Sequence, residues 1–378
     1  MASNGTGQSA ETIAQAIVRR SLRFGQQFGQ QFSQTGMAGE CGPPPAGEVS
    51  PRLATIQVMT SVIPAIDEGE SDLADHLDEL REMNSVIRDL MGEPGDLRTP
   101  GGLDVARKFL EEMMAGQVPT VAAELREISG VPVRVFNPGH PEAVYMHIHG
   151  GGFAIGVAAM SDAPNAELSA TSNLAVVSVD YRLAPEHPYP AGPDDCEAVA
   201  NWLVENADAE FGTDKLLIGG ESAGACLAAT TLIRVRDHIG AADSFLGANL
   251  VYGVYDLTGT PSARRADDTS ILLRRSEMEA FGDLYLGDMS IEDRRDPDIS
   301  PLYADLSELV PALFTVGGAD PLLDDTLFMA SRWQVAGNEA ELGFYPECPH
   351  GFDMLPTKAT TRAHAHLSDW IARRLKGA

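Results

Sequence analysis

The segment LLIGGESAGACLAA, residues 216–229, joins two different patterns at one serine. The apolar run LLIGG is typical of a short buried strand, and the small and apolar residues after Ser222 are typical of a helix. Gly220 and Gly224 lie two positions away on either side. A tight strand-to-helix turn strains the backbone of its central residue and excludes bulky neighbours. The segment therefore predicts a nucleophilic serine presented at the carboxyl end of a strand.

Short β-rich runs alternate with helical patterns on both sides of this turn. The runs lie at 143–150, 174–181, 215–220, 247–256, 312–320 and 341–347, after a predicted hairpin at 123–138. The helical patterns lie at about 162–172, 193–209, 222–239, 323–337 and 358–375. This alternation predicts an α/β fold with a mainly parallel central sheet and helices on both faces. The polar stretch 258–299 interrupts it and is interpreted as an insertion with a helix at about 276–286.

Composition restricts the partners of the chain. Its 378 residues include 27 basic and 55 acidic ones, a formal charge of −28. Such a charge repels phosphate backbones and excludes nucleic acid as a partner, whether the acidity reflects a salty habitat or an ordinary acidic enzyme. No apolar run is long enough to span a bilayer, and no secretory signal is visible, so a cytoplasmic location without stable membrane insertion is expected. The scattered cysteines predict reduced thiols: Cys41, Cys196, Cys226 and Cys348.

The first part of the chain has a different character. An amphipathic helix is predicted from Thr12 to about Phe24, and further helical patterns follow at about 71–91 and 102–116. The turn-rich stretch 41–51 separates them.

Three consecutive glycines follow the first central run, in HIHGGGF at 147–153. Their backbone N–H groups are not covered by side chains, so a substrate carbonyl could approach them. His147 and His149 share one face of the strand, which also suits a metal ligand pair. No further His, Cys or carboxylate cluster accompanies them, so no metal site is predicted, and His149 is expected to brace the glycine loop by hydrogen bonding.

A serine nucleophile requires a base and an acid that orients the base. In the order Ser, acid, His, the acid follows a late strand and the histidine follows the last one. Asp320 and His350 meet these positions and are predicted as acid and base. Asp324 and Asp325 lie nearby, but at the start of the next helix, where carboxylates favour the helix dipole. His187 comes too early in the chain for the base.

Taken together, HGGGF, DYRLAPEHPYPA, GGESAGA, GGADPL and HGF resemble the hormone-sensitive-lipase-like carboxylesterases, the bacterial group IV enzymes of the α/β-hydrolase fold, over about 120–378. The resemblance implies that the amides of Gly151, Gly152 and Ala223 form the oxyanion hole. It also implies that the loop containing Asp180, Tyr181, Arg182 and Glu186 braces the site, with Arg182 paired to Glu186. Glu221 stands where many members have Asp, and its partner is not evident from the sequence.

A helical cap is implied by the same resemblance. The corresponding division is an N-terminal extension and cap at 1–116, catalytic segments at 117–257 and 291–378, and a cap insertion at 258–290. The first 40 or so residues have no clear counterpart in the family.

The expected activity is hydrolysis of short- to medium-chain carboxylic esters through an acyl-enzyme, with Phe153 in the acyl pocket and with no cofactor. An amidase or deacetylase with the same triad, and a non-catalytic small-molecule receptor, remain as alternatives. The last run, 341–347, is interpreted as a sheet edge through which a homodimer could form.

Overall fold

A computed structural model of the chain describes residues 62–64, 70–91, 95–114, 119 and 121–377. Within these ranges, nine strands form one sheet in the order β1-β9-β8-β7-β6-β4-β5-β3-β2. The strands are β1 Val62–Pro64, β2 Glu124–Ile128, β3 Val131–Phe136, β4 Ala143–Ile148, β5 Leu174–Val179, β6 Leu216–Glu221, β7 Phe245–Val251, β8 Ala312–Gly317 and β9 Ala340–Tyr345. The first six neighbouring pairs in this order, from β1–β9 through β4–β5, are parallel, whereas the last two pairs, β5–β3 and β3–β2, are antiparallel.

Helices cover both faces of this sheet. They are α1 Glu70–Met91, α2 Pro100–Met114, α3 Asp162–Ser172, α4 Ala191–Phe211, α5 Ala223–Ile239, α6 Pro261–Arg265, α7 Arg275–Leu286, α8 Leu323–Val335 and α9 Lys358–Leu375. One core contains Trp370 and Ile371 of α9 packed with Tyr145, Leu217 and Leu313 of the strands. The other, larger core packs α4, α5 and α8 onto the opposite face.

The central strands are buried along their whole length because helices cover both of their faces. Every residue of β4, β5 and β8 is buried, which explains why these strands are mostly apolar and show no regular polar alternation. The parallel arrangement brings the carboxyl ends of β4, β6, β8 and β9 to the same edge. The loops after them contain the residues that the sequence predicts to be functional.

The predicted fold class is confirmed. The predicted central runs and helices correspond to β4–β9 and to α3, α4, α5, α8 and α9, with ends that differ by a few residues. The helix at 276–286 is α7, while the helix predicted at 12–24 and the turn at 41–51 lie outside the described residues. The sheet-edge interpretation of β9 was wrong, because β1 pairs in parallel with it at Val62–Leu342, Ile63–Gly343 and Pro64–Phe344. No pattern in the sequence around Val62 predicts that pairing.

Candidate active site

Ser222 lies between β6 and α5 in a backbone conformation that few residues other than glycine adopt, with φ 56° and ψ −119°. A Cβ on Gly220 would lie 2.2 Å from the Ile148 carbonyl oxygen, and one on Gly224 would lie 1.9 Å from the same atom. Both glycines are therefore required by close backbone contact with the end of β4. The turn presents the serine hydroxyl beside the loop that follows β4.

The three predicted triad residues come together. His350 Nε2 lies 3.0 Å from Ser222 Oγ, and His350 Nδ1 lies 2.9 Å from Asp320 Oδ2. The Leu322 N–H donates to Asp320 Oδ1 at 2.7 Å and fixes that carboxylate. An ionised carboxylate only accepts hydrogen bonds, so it holds the proton on Nδ1 and leaves Nε2 free to accept from the serine. Asp320 and His350 are 4% and 8% exposed, so little water competes for these bonds.

Tyr252, directly after β7, packs against the His350 ring with the ring centroids 4.7 Å apart. Its hydroxyl donates to Asp353 Oδ1 at 2.6 Å. Burial, with Glu221 nearby, raises the pKa of Asp353 above its usual range. Sequence reasoning missed Tyr252, for which the only signal was an aromatic residue immediately after a central strand.

The glycine loop after β4 makes a tight turn. Gly151 and Gly152 have φ of +114° and +57°, and Phe153 follows with φ of +62°. The Gly151 carbonyl accepts from the N–H groups of Ala154 at 3.1 Å and Ile155 at 2.9 Å. The loop lies against the start of the serine turn, because a Cβ built on Gly150 would lie 2.9 Å from the Glu221 carbonyl oxygen and 3.4 Å from Ser222 Cβ.

The two histidines of β4 and its loop have partners other than a metal. His147 Nε2 lies 3.1 Å from Glu221 Oε2, and His147 Nδ1 lies 2.9 Å from Ser178 Oγ. His149 Nδ1 donates to the Gly150 carbonyl at 2.7 Å, and its ring stacks on Tyr181. Burial lowers the pKa of His149 to about 4, which keeps it neutral. No group of three metal-ligating side chains occurs in the part of the chain that the structure describes.

The loop after β5 contacts the glycine loop, since the Tyr181 hydroxyl donates to the His149 carbonyl at 3.0 Å, but its ion pairs differ from those expected. Asp180 accepts from the Ala158 N–H at 2.8 Å. The predicted Arg182–Glu186 pair is wrong: Arg182 Nη2 binds Asp195 Oδ1 of α4 at 2.7 Å. Glu186 instead binds Arg107 of α2 at 2.8 Å, and this guanidinium lowers the pKa of Glu186 to about 2. The sequence could not show which helix passes within reach of each side chain.

Among the rival residues near the acid, Asp325 has a separate role in the fold. It accepts from the backbone N–H groups of Tyr255 at 2.8 Å and Asp256 at 3.0 Å, and from the Thr260 hydroxyl at 2.5 Å. Burial raises its pKa to about 7. Asp325 therefore holds the chain that leaves β7 and enters the insertion, and its carboxylate is occupied there.

Phe153 is 5% exposed and stacks on Tyr285 of α7, with ring centroids 4.1 Å apart. Phe281, one turn earlier on α7, lies directly over Gly152: a Cβ built on that glycine would be 2.3 Å from its Cγ. The insertion therefore contacts the glycine loop through two aromatic side chains. Sequence reasoning missed Phe281, since helical spacing alone does not show what a helix covers.

Two further observations concern the expected environment of the chain. None of the helices in the described ranges combines the length and the apolar character needed to cross a bilayer. Cys196, Cys226 and Cys348 are buried free thiols.

Comparison with known proteins agrees with this geometry. Residues 145–354 match a family model described as alpha/beta hydrolase fold. The chain is 34% identical over 290 residues to the carboxylesterase NlhH of Mycobacterium tuberculosis, covering 72% of this chain and 89% of the relative. It is also 34% identical over 230 residues to the carboxylic ester hydrolase LipN of the same species, covering 59% of this chain and 61% of LipN.

A solved structure named as a hormone-sensitive lipase from a metagenome library superposes with a TM-score of 0.69 at 28% identity, covering 78% of this chain and 98% of that one. Its coverage includes nearly all of that protein, so the likeness extends over the whole catalytic fold. The chain therefore belongs to the α/β-hydrolase family, within its hormone-sensitive-lipase-like carboxylic ester hydrolases.

Proposed function

We propose that this protein is a serine carboxylesterase that hydrolyses short- to medium-chain carboxylic esters through an acyl-enzyme. The observation that carries the proposal is the continuous hydrogen-bonded series Ser222 Oγ, His350, Asp320, at 3.0 and 2.9 Å. This arrangement converts a weak nucleophile into a reactive one.

The reaction follows from the position of each group. Ser222 Oγ attacks the ester carbonyl carbon while its proton moves to His350 Nε2. The oxygen of the tetrahedral intermediate becomes negative and is bound by the amides of Gly151, Gly152 and Ala223. The C–O bond then breaks, and the alcohol leaves with the proton from His350. Water, deprotonated by the same imidazole, attacks the acyl-serine, so that the carboxylic acid departs and Ser222 recovers its proton.

We further propose that the cap combines the N-terminal region 1–116 and the insertion 258–290, over catalytic segments 117–257 and 291–378. Its support is the ion pair between Arg98 Nε, just before α2, and Asp283 Oδ2 of α7 at 2.8 Å, which joins the two cap parts. Phe281 and Tyr285 of the insertion lie over the glycine loop. Aromatic rings this close to Gly152 and Phe153 favour small acyl groups, with Phe153 as part of the acyl pocket.

The cellular location and the oligomeric state are proposed on separate grounds. A cytoplasmic location is supported by the free thiols Cys196, Cys226 and Cys348. A homodimer remains a proposal, but the open edge of β9 is no longer its basis, because β1 occupies the outer side of that strand. Analytical ultracentrifugation tests it: a single species of monomer mass at micromolar concentration would contradict it.

The activity is tested with p-nitrophenyl esters from acetate to hexanoate. Wild type is expected to hydrolyse them, with the fastest rates for the shorter acyl chains, and Ser222→Ala is expected to be inactive. Ser368→Ala is the matched control, because this half-buried serine lies on α9 and its hydroxyl, among the described residues, bonds to the His364 carbonyl of its own helix. Equal rates in wild type and Ser222→Ala would refute the proposal. Faster turnover of p-nitroanilides than of esters would indicate an amidase, and inactivity toward every substrate would indicate a receptor.

A further inference from the structure

Arg107 of α2 contacts two loops of the catalytic domain at once. Its Nε and Nη2 donate to the Ala154 carbonyl at 3.0 and 2.9 Å, and its Nη2 also donates to the Ala184 carbonyl at 3.1 Å. Both Glu186 carboxylate oxygens accept from the same guanidinium at 2.8 Å. The planar fork of arginine suits this arrangement, since a lysine ammonium could not bridge the same set of acceptors.

The two carbonyls belong to segments that hold the glycine turn. The Ala154 N–H donates to the Gly151 carbonyl at 3.1 Å, and the Ala184 N–H donates to the Phe153 carbonyl at 2.9 Å. Arg107 therefore binds the carbonyl of the Ala154–Ile155 peptide unit, whose N–H donates to the Gly151 carbonyl at 2.9 Å. It also binds the Ala184 carbonyl in the neighbouring loop, where the Ala184 N–H supports Phe153. Few degrees of freedom remain for the turn between Gly151 and Ala154.

This turn needs such support because of its backbone conformation. Three consecutive residues, Gly151, Gly152 and Phe153, have positive φ values of +114°, +57° and +62°. For a residue with a side chain, such as Phe153, a positive φ costs roughly 1–2 kcal/mol. Conformations of this kind persist only where surrounding contacts enforce them. Charge-assisted hydrogen bonds to a backbone carbonyl are among the stronger contacts available.

We propose that Arg107 is a positioning residue for ester hydrolysis: held by Glu186, it fixes the Ala154 carbonyl and thereby the Gly151–Gly152 amides that bind the oxyanion. The inference rests on the proposed function, because it concerns the oxyanion hole of that reaction. It assigns to α2 of the N-terminal cap a part in the chemical step, in addition to covering the site. Arg107 acts through these backbone groups and does not touch the substrate itself.

A crevice of about 400 Å³ borders Arg107 and provides a sharper test than substitution alone. Its wall includes Val157, Met160, Leu183 and His187 beside the guanidinium. Removal of the arginine side chain would leave a space of guanidinium size that small cations can reach from this crevice. Exogenous guanidinium at millimolar concentration should then occupy the position between Glu186 and the Ala154 carbonyl.

The experiment compares Arg107→Ala, Arg107→Lys and Arg126→Ala in the full chain. Arg126 is the matched control, since its side chain is also 26% exposed and pairs with Glu124 at 2.8 Å on β2, away from the turn. Turnover is expressed per active site titrated by the p-nitrophenol burst, so that a loss of folded protein does not count as a loss of rate. Thermal denaturation is recorded for every variant.

We expect kcat of Arg107→Ala to fall about tenfold, less than the ~10²–10³ for removing an oxyanion donor outright. KM and the pH midpoint of kcat should stay unchanged, because the triad is not touched. Arg107→Lys should be intermediate, and guanidinium chloride, against sodium chloride of equal ionic strength, should raise kcat of Arg107→Ala alone. Arg126→Ala should match wild type.

The inference would be overturned if Arg107→Ala had the same kcat per active site as wild type. It would also be overturned if kcat of Arg107→Ala fell but guanidinium did not raise it. Neither result would affect the proposed function, provided that wild type hydrolyses esters and Ser222→Ala does not. Inactivity of wild type would instead remove the proposed function.

Discussion

Replacement of Gly152 by alanine is the substitution for which the structure predicts the sharpest loss of activity. The new Cβ would lie 2.3 Å from Phe281 Cγ and 2.5 and 2.6 Å from the two Cδ atoms, whereas ordinary contact begins at 3.4 Å. Cγ and the Cδ atoms are the ring atoms nearest to the Phe281 backbone, so a movement of the far end of the ring does not relieve the clash. Either α7 or the glycine turn must move by about an ångström.

The magnitude follows from hydrogen-bond geometry. A donor that lies about 3 Å from the oxyanion would move to about 4 Å, beyond hydrogen-bonding distance. Loss of one oxyanion donor lowers the rate about 10²–10³-fold, so kcat of Gly152→Ala should fall by about 100-fold. The positive φ of +57° adds strain, worth roughly 1–2 kcal/mol for a residue with a Cβ.

The assay is p-nitrophenyl butyrate hydrolysis per titrated active site, with thermal denaturation alongside. Gly240→Ala is the control for strain alone, because Gly240 has φ of +66° and nothing within 4 Å of its Cβ position. It should lose stability but keep kcat. In Gly152→Ala/Phe281→Ala the clash is absent, so kcat should recover by about tenfold, short of full recovery because the strain remains. A double variant no faster than Gly152→Ala, or a single variant with wild-type kcat, would show that Phe281 does not press on this turn.

Three further results are expected. Asp320→Asn should lower kcat by about 10⁴ with little change in melting temperature, since the amide would favour the wrong tautomer of the catalytic imidazole; a loss below tenfold would contradict that role. Burial lowers the pKa of His149 to about 4 from its ordinary 6.5, so between these pH values the unfolded chain takes up a proton that the folded chain does not, and stability should fall as pH drops from 6.5 to 4. The melting temperature of His149→Gln should depend less steeply on pH over this range than that of wild type. Equal pH dependence in the two proteins would contradict this assignment. Burial raises the pKa of Cys196, Cys226 and Cys348, so iodoacetamide should leave these three unmodified in the native protein, as mass spectrometry of peptides can check.

The glycines around Ser222 and in the loop after His149 could be interpreted from the sequence because their reasons are local. Close backbone contact within a few residues leaves few alternatives to glycine, and buried strands between two helical layers must be apolar along their length. Asp320 and His350 were predicted from the hydrolase order of serine, acid and histidine and from their positions after late strands. The structure brings these side chains and Ser222 together at hydrogen-bonding distance.

The ion-pair partners of long side chains could not be predicted from the sequence. The family resemblance implied a pair between Arg182 and Glu186, yet Arg182 binds Asp195 and Glu186 binds Arg107. Which charge a long side chain meets depends on the helices that pack beside it, and that depends on the whole arrangement of the cores. For the same reason, the sequence did not predict the contact of Phe281 with Gly152 or the pairing of β1 with the outer side of β9. The sequence alone therefore determined the fold class and the predicted reacting groups, through backbone requirements and burial patterns confined to short segments. Only the tertiary structure decided how the cap, the glycine turn and the ion pairs meet, because those contacts join residues whose separation in the chain carries no signal.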